Sequence, residues 1–250
     1  DVALAYRDKR IYSPSALREQ LHISDDRPMA FIFAHAFIDS PHISSGQLYR
    51  DYYDWLCSTL ALVVNIDSCH WVVKPHPSAA LYGEQGVVER LVMQAKAPHV
   101  HLCPADLNPA TVIASACCIL TVQGTAALEY ACKGIPAIVT GAAFYSGYGF
   151  TLDPRSKEQY EQMLSRIAAM EPLQPQYQEA ALLVYGLWNR LAGYESNLID
   201  QQVLRKVWGY EGGRDLEAAY RLVLDRMRST SLCELDIGKF VELHCGERMC

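Results

Sequence analysis

From Met29 onward, short unbroken apolar runs alternate with stretches whose apolar residues recur at helical spacing. Met29-Ala-Phe-Ile-Phe-Ala34 follows Arg27-Pro28 and is apolar at every position, as a strand buried on both faces of a parallel sheet must be. Tyr52, Trp55, Leu56, Thr59, Leu60 and Val63 then predict an amphipathic helix. Trp71-Val-Val73 reads as a second strand, the residues around Val87 and Leu91 as a helix, and His99 to Cys103 as a third strand. A short helix opens near Pro109, where proline is tolerated in the first turn. Cys118 to Val122 predicts a fourth strand, Thr125 to Lys133 a helix stopped by Gly134, and Ile135 to Thr140 a fifth strand. Tyr160, Met163, Leu164 and Ile167 mark another helix. Strands and helices alternating at this spacing predict an α/β fold with a doubly wound parallel sheet.

The rest of the chain is patterned differently. Residues 1–26 form a polar lead-in with one helix near Ser15 to Gln20, and residues 27–170 hold the α/β domain. Residues 171–250 read as a C-terminal helical appendage: helical over 175–206, broken at Trp208 to Gly213, helical again from Leu216 to Met227, irregular after Ser229. The chain begins at Asp1 without a signal peptide, which suggests a piece of a longer protein.

Composition narrows the function classes. Half of the 250 residues are apolar, which excludes a disordered chain and supplies one large core. Twenty-two Lys and Arg against 28 Asp and Glu leave a net charge of −6, which argues against a nucleic-acid surface. No apolar run approaches the roughly 20 residues that span a bilayer. Nine scattered cysteines without a CxxC pair suit a reducing, cytoplasmic setting. A metal site at His244, Cys245 and Cys250 lacks a second ligand pair at the usual spacing.

In an open α/β sheet, ligands bind at the carboxyl ends of the strands. Three unusual segments fall there: His35 to His42, Lys74-Pro-His76-Pro77, and Thr121 to Glu129. In the third, Gly124 and Thr125 open a helix directly after a strand, a geometry suited to a phosphate; Gln123 precedes them as a further nucleotide-binding candidate, and Glu129 is placed to meet a ribose diol. An N-capped core helix with Glu129 exposed fits the same residues. Prolines on both sides stiffen His76, which beside Lys74 can supply a hydrogen bond or a full charge to a phosphate. A buried structural histidine is the alternative. Asp39, between His35 and His42, suits a general base or a nucleophile toward a sugar carbon, or simply a loop cap. A metal held by His35, Asp39 and His42 is a further option.

Together these residues resemble the bacterial capsule polysaccharide biosynthesis proteins, a family that includes the Kdo transferases. The resemblance rests on His35-Ala-Phe-Ile-Asp39, Trp71-Val-Val-Lys-Pro-His-Pro77 and Gly124-Thr-Ala-Ala-Leu-Glu129. Gly134-Ile-Pro-Ala-Ile-Val139 and Phe144-Tyr145-Ser-Gly-Tyr-Gly-Phe-Thr151 extend it, so that it spans about residues 29–170. It implies a GT-B glycosyltransferase of which this chain is the Rossmann-like, nucleotide-binding half. By that analogy His76 and Thr125 hold the nucleotide phosphate, Lys74 supports its charge, and Glu129 takes the ribose. Asp39 matches the carboxylate that attacks the anomeric carbon in retaining Kdo transferases, with His35 beside it. Tyr145 packs on base or sugar, or serves in the core or a lid.

The resemblance further implies a donor such as CMP-Kdo as substrate, no cofactor and no metal, and a glycan or glycolipid acceptor. Work at the inner face of the membrane, without a transmembrane segment, follows from the same analogy. GT-B enzymes pair two α/β domains, whereas this sequence shows one. The acceptor half would then lie before Asp1 or come from a partner subunit. CMP-sialic acid, CDP-glycerol or a UDP-sugar are alternative donors, and a non-catalytic nucleotide-sugar-binding domain is the alternative class.

Overall fold

The computed structural model describes residues 8–42, 46–192 and 216–231. The chain divides into two units, Asp1–Leu187 and Trp188–Cys250. In the first, α1 (Pro14–Gln20) precedes β1 (Met29–Phe33), α2 (Tyr52–Val63) and β2 (His70–Lys74). Then come α3 (Val87–Ala95), β3 (Val100–Leu102), α4 (Pro109–Ser115), β4 (Ala116–Thr121) and α5 (Ala126–Ala131). β5 (Ala137–Val139), β6 (Thr151–Leu152) and α6 (Lys157–Ser165) complete the alternation; α7 (Pro175–Ala192) begins in this unit and runs past its last residue, Leu187.

All six strands are parallel and lie in the order β3-β2-β1-β4-β5-β6, the Rossmann order. Alternation along each strand splits the core in two. Met29, Phe31, Val72, Ile119 and Val139 face one layer, formed with Leu17 of α1, Val112 of α4 and Leu128 of α5. Ala30, Ile32, Trp71, Val73, Leu120 and Ile138 face the other, formed with Trp55 and Leu56 of α2, Val88 of α3 and Tyr160 of α6. Burial on both sides explains why these strands read as unbroken apolar runs. Phe31 lies at the centre of the sheet and is fully buried. Phe31→Ala is expected to cost about 3–5 kcal/mol, read as a lowered urea midpoint at unchanged slope.

Helix starts follow from local chemistry. Ser13, Asp51, Asn108 and Ser156 each accept a first-turn N–H with the side chain, capping α1, α2, α4 and α6. α5 ends three residues before Gly134, whose φ of +81° lies in the left-handed region that glycine enters freely.

Two boundaries differ from the sequence reading. The lead-in is part of the α/β unit, because Tyr12, Leu17, Leu21 and Ile23 are buried in its core. The start of α7 also packs there rather than standing apart: Ala181 is fully buried, and Gln178 Nε2 donates to the Cys132 carbonyl at 3.0 Å. β6 is a sixth strand, too short to carry a period. In the second unit, α8 (Leu216–Ser229) coincides with the predicted helix and carries a Glu217–Arg221 ion pair. The helical reading of 193–206, the break at Trp208 to Gly213 and the tail with His244, Cys245 and Cys250 lie outside the described residues.

Candidate functional site

β1 stands between β2 and β4, and the strand order reverses at the β1/β4 boundary. Crossovers leave that boundary in opposite directions and open a crevice at the carboxyl ends. A cleft of about 240 Å³ lies there. The three segments supply its walls: His35 after β1, Lys74 to Pro77 from the last residue of β2 onward, and Thr121, the last residue of β4, with Gly124, Thr125 and Glu129 beyond it. Phe33, Pro109 and Tyr130 complete the apolar part.

His35 ties two of these segments together. Its Nε2 lies 2.9 Å from Thr121 Oγ1 and accepts the backbone N–H groups of Val122 and Gln123 at 3.3 and 3.4 Å. Tyr52 of α2 stacks on the ring at 4.2 Å between centroids, and the Gln123 side-chain amide donates to the Tyr52 hydroxyl. Burial, with a smaller contribution from His76, pushes the His35 pKa down to about 3. His35 is therefore neutral at pH 7, and its Nε2 positions the β4–α5 turn.

His76 Nδ1 accepts the Ser78 N–H at 3.2 Å. Burial lowers its pKa, partly opposed by the charges of Asp39 and Glu84. Lys74 is half-buried, and desolvation lowers its pKa as well. It is the only Lys or Arg among the residues lining the cleft.

Asp39 is exposed and lies outside the cleft lining, close enough for its charge to act on His76 and Tyr52. Its loop is held from a distance. The Glu84 carboxylate accepts the Phe37 N–H at 2.9 Å and the Ile38 N–H at 3.0 Å, one on each oxygen. The Asp39 N–H donates to Ala36 O, and Ser40 takes a φ of +54°. Glu84 was not anticipated, since nothing in the sequence around it signals a partner 46 residues away.

At the β4–α5 turn, Thr125 occupies the N-cap position but makes no capping bond with its side chain, so its hydroxyl stays available at the cleft. Glu129 is exposed and also lines a second cavity of about 270 Å³ with Ile113, Lys133, Leu182 and Tyr185. Gln123 lies behind the lining, in the Tyr52 bond. Tyr145 is placed otherwise than as a stacking platform. Its ring is fully buried, and it supports the site only through its hydroxyl, which donates to the Gly124 carbonyl at 2.5 Å. A Cβ on Gly124 would stand 2.9 Å from Thr121 Oγ1. Gly124→Ala is expected to displace Thr121 from His35 and destabilise the protein by about 1–3 kcal/mol, read by thermal melting. Among the described residues, no group of three His, Cys, Asp or Glu side chains is placed to hold a metal ion.

Residues 59–181 match the family described as capsule polysaccharide biosynthesis proteins. Over that span the chain is similar to this family. The span includes the segments at Lys74 to Pro77 and Gly124 to Glu129, and begins after His35 and Asp39. Among solved structures, the chain resembles KpsC of Thermosulfurimonas dismutans, a β-Kdo 2,4 transferase, at 17% identity and a TM-score of 0.40 over 63% of this chain and 44% of that one. It also resembles the wall teichoic acid polymerase TagF, at 11% identity and a TM-score of 0.42 over 87% and 48% of the two chains. A third is the UDP-GlcNAc 2-epimerase of Neisseria meningitidis, at 15% identity and a TM-score of 0.38 over 70% and 48%. The chain spans less than half the length of each of the three. No curated protein matches it.

Proposed function

We propose that this chain is the donor-binding half of a glycosyltransferase that moves a sugar, Kdo from CMP-Kdo in the first instance, onto a bacterial capsule or surface polysaccharide or a glycolipid. The observation that carries this reading is the convergence of His35, Lys74, His76, Thr125 and Glu129 on one cleft at the strand-order reversal. The similarity of residues 59–181 to capsule biosynthesis proteins supports it.

In this reading Lys74 and His76 face the donor phosphate together with the Thr125 hydroxyl, and Glu129 meets the ribose. The adjoining cavity at Ile113 and Tyr185 receives the remainder of the nucleoside. Asp39 attacks the anomeric carbon as the bond to the phosphate oxygen breaks, and the electron pair leaves with the nucleotide. An acceptor hydroxyl then displaces the carboxylate, and its proton passes to the released Asp39 carboxylate and on to solvent. Two inversions give net retention. A second reading, a nucleotide-sugar-binding domain without catalysis, draws on one observation: Asp39 is exposed and outside the cleft lining.

The acceptor and a second α/β half belong to the proposal, as does a place at the inner face of the membrane. Among the described residues, no helix is long and apolar enough to cross a membrane. Calorimetric titration with CMP, CDP, UDP and ADP tests the donor; tightest binding of UDP or ADP would replace CMP-Kdo. Transfer by the full-length protein is expected to persist in EDTA. Loss in EDTA with recovery on adding a divalent ion would overturn the metal-free mechanism.

A further inference from the structure

We infer that the cleft meets its anionic ligand with two imidazoles locked as neutral N–H donors, His35 through Nδ1 and His76 through Nε2, while Lys74 supplies the positive charge. The inference rests on the proposed nucleotide site and names how that site recognises a phosphodiester.

The lock comes from the backbone. Two main-chain N–H groups, of Val122 and Gln123, point at His35 Nε2. They cannot turn away, so Nε2 must present a lone pair and the ring proton must sit on Nδ1. Among the described residues Nδ1 has no protein partner, yet it is not one of the sealed, unsatisfied polar atoms. The ring lines the cleft, so the cleft is where Nδ1–H finds a partner. At His76 the Ser78 N–H points at Nδ1, which leaves the proton on Nε2. Adding a proton to either ring would set a new N–H against a backbone N–H.

The surrounding charges agree. His35 faces the stacked Tyr52 ring of α2, the Thr121 hydroxyl of β4 and the His76 ring across the cleft, with no carboxylate to favour a cation. Around His76, Asp39 and Glu84 favour protonation, while burial and Lys74 oppose it and prevail. Both donors therefore persist at neutral pH. No proton has to pass to the departing nucleotide, because a phosphate monoester with a second pKa near 6 is stable as the dianion at pH 7.

The tautomers are read in the ligand-free protein by long-range proton–nitrogen NMR. Neutral rings are expected at pH 7, protonated at Nδ1 in His35 and at Nε2 in His76. A charged ring or a reversed tautomer would overturn the inference. The methyl phosphodiester of CMP, which keeps one charge across the range, is then titrated from pH 6 to 8. Affinity is expected to change less than twofold. If a ring of ordinary pKa had to be charged, affinity would fall about 25-fold. His76→Gln keeps a donor where Nε2 stood and cannot be charged. It is expected to bind within about threefold of the unaltered protein, whereas His76→Ala loses about tenfold or more. Glutamine performing as poorly as alanine would overturn the donor role. If the unaltered protein binds no CMP ester at all, the nucleotide reading fails, and the NMR result alone decides the tautomers.

Discussion

Asp39→Ala and Asp39→Asn in the full-length protein are expected to reduce sugar transfer by several orders of magnitude while CMP affinity changes less than about threefold. The separation follows from where the carboxylate stands. It is outside the lining of the phosphate cleft and bonds to none of the residues proposed to hold the nucleotide. An interaction made only as the sugar–phosphate bond breaks appears in kcat and not in nucleotide affinity. Its charge does favour the protonated form of His76, so its removal makes that ring still more firmly neutral. Glu84 offers a control on the same loop. Glu84→Gln keeps one acceptor for the Phe37 and Ile38 N–H groups and is expected to retain more transfer than Glu84→Ala. Substantial transfer by Asp39→Ala would end the nucleophile assignment and favour the binding-domain reading, with the cleft intact.

Most of the fold was legible because a doubly wound sheet writes itself locally. Phe31, Val72 and Ile119 are apolar for one layer, their neighbours Ile32, Val73 and Leu120 for the other, and the helices between them need only one apolar face. The cleft was legible for a related reason. Strand ends carry ligands in such sheets, and Lys74-Pro-His-Pro77 and Gly124-Thr125 are poor choices for continuing a strand or filling a core. What stayed hidden depends on long-range contacts. The lead-in looked polar, but four apolar side chains on and around α1 complete one layer of the core. Glu84 reaches the Asp39 loop from a segment with no period. Tyr145 had the composition of a stacking platform, and only its full burial shows that it braces Gly124 from behind. The role of His35 turns on which ring nitrogen accepts, which no spacing in a sequence records.

Lys74→Met is expected to change stability and binding in opposite directions. Burial lowers the Lys74 pKa below its unfolded value of 10.5. The sign follows directly. Between the folded and unfolded pKa values the unfolded chain binds more protons, so stability rises with pH across that window. Below the window, at neutral pH, the folded protein carries the cost of a partly desolvated ammonium. Methionine of similar length removes that cost and keeps the stem packed, so the melting temperature in the absence of ligand is expected to rise. CMP affinity is expected to fall by about 1.5–3 kcal/mol, the range for hydrogen bonds to charged groups, because the cleft lining loses its one ammonium group. A lysine kept for structure would lose stability on the same change and leave nucleotide affinity alone. A site kept for an anion spends stability on an unneutralised charge that its ligand then satisfies. Melting temperature and CMP titration, measured on one variant, therefore separate the two roles: a drop in stability with unchanged affinity would remove Lys74 from the site.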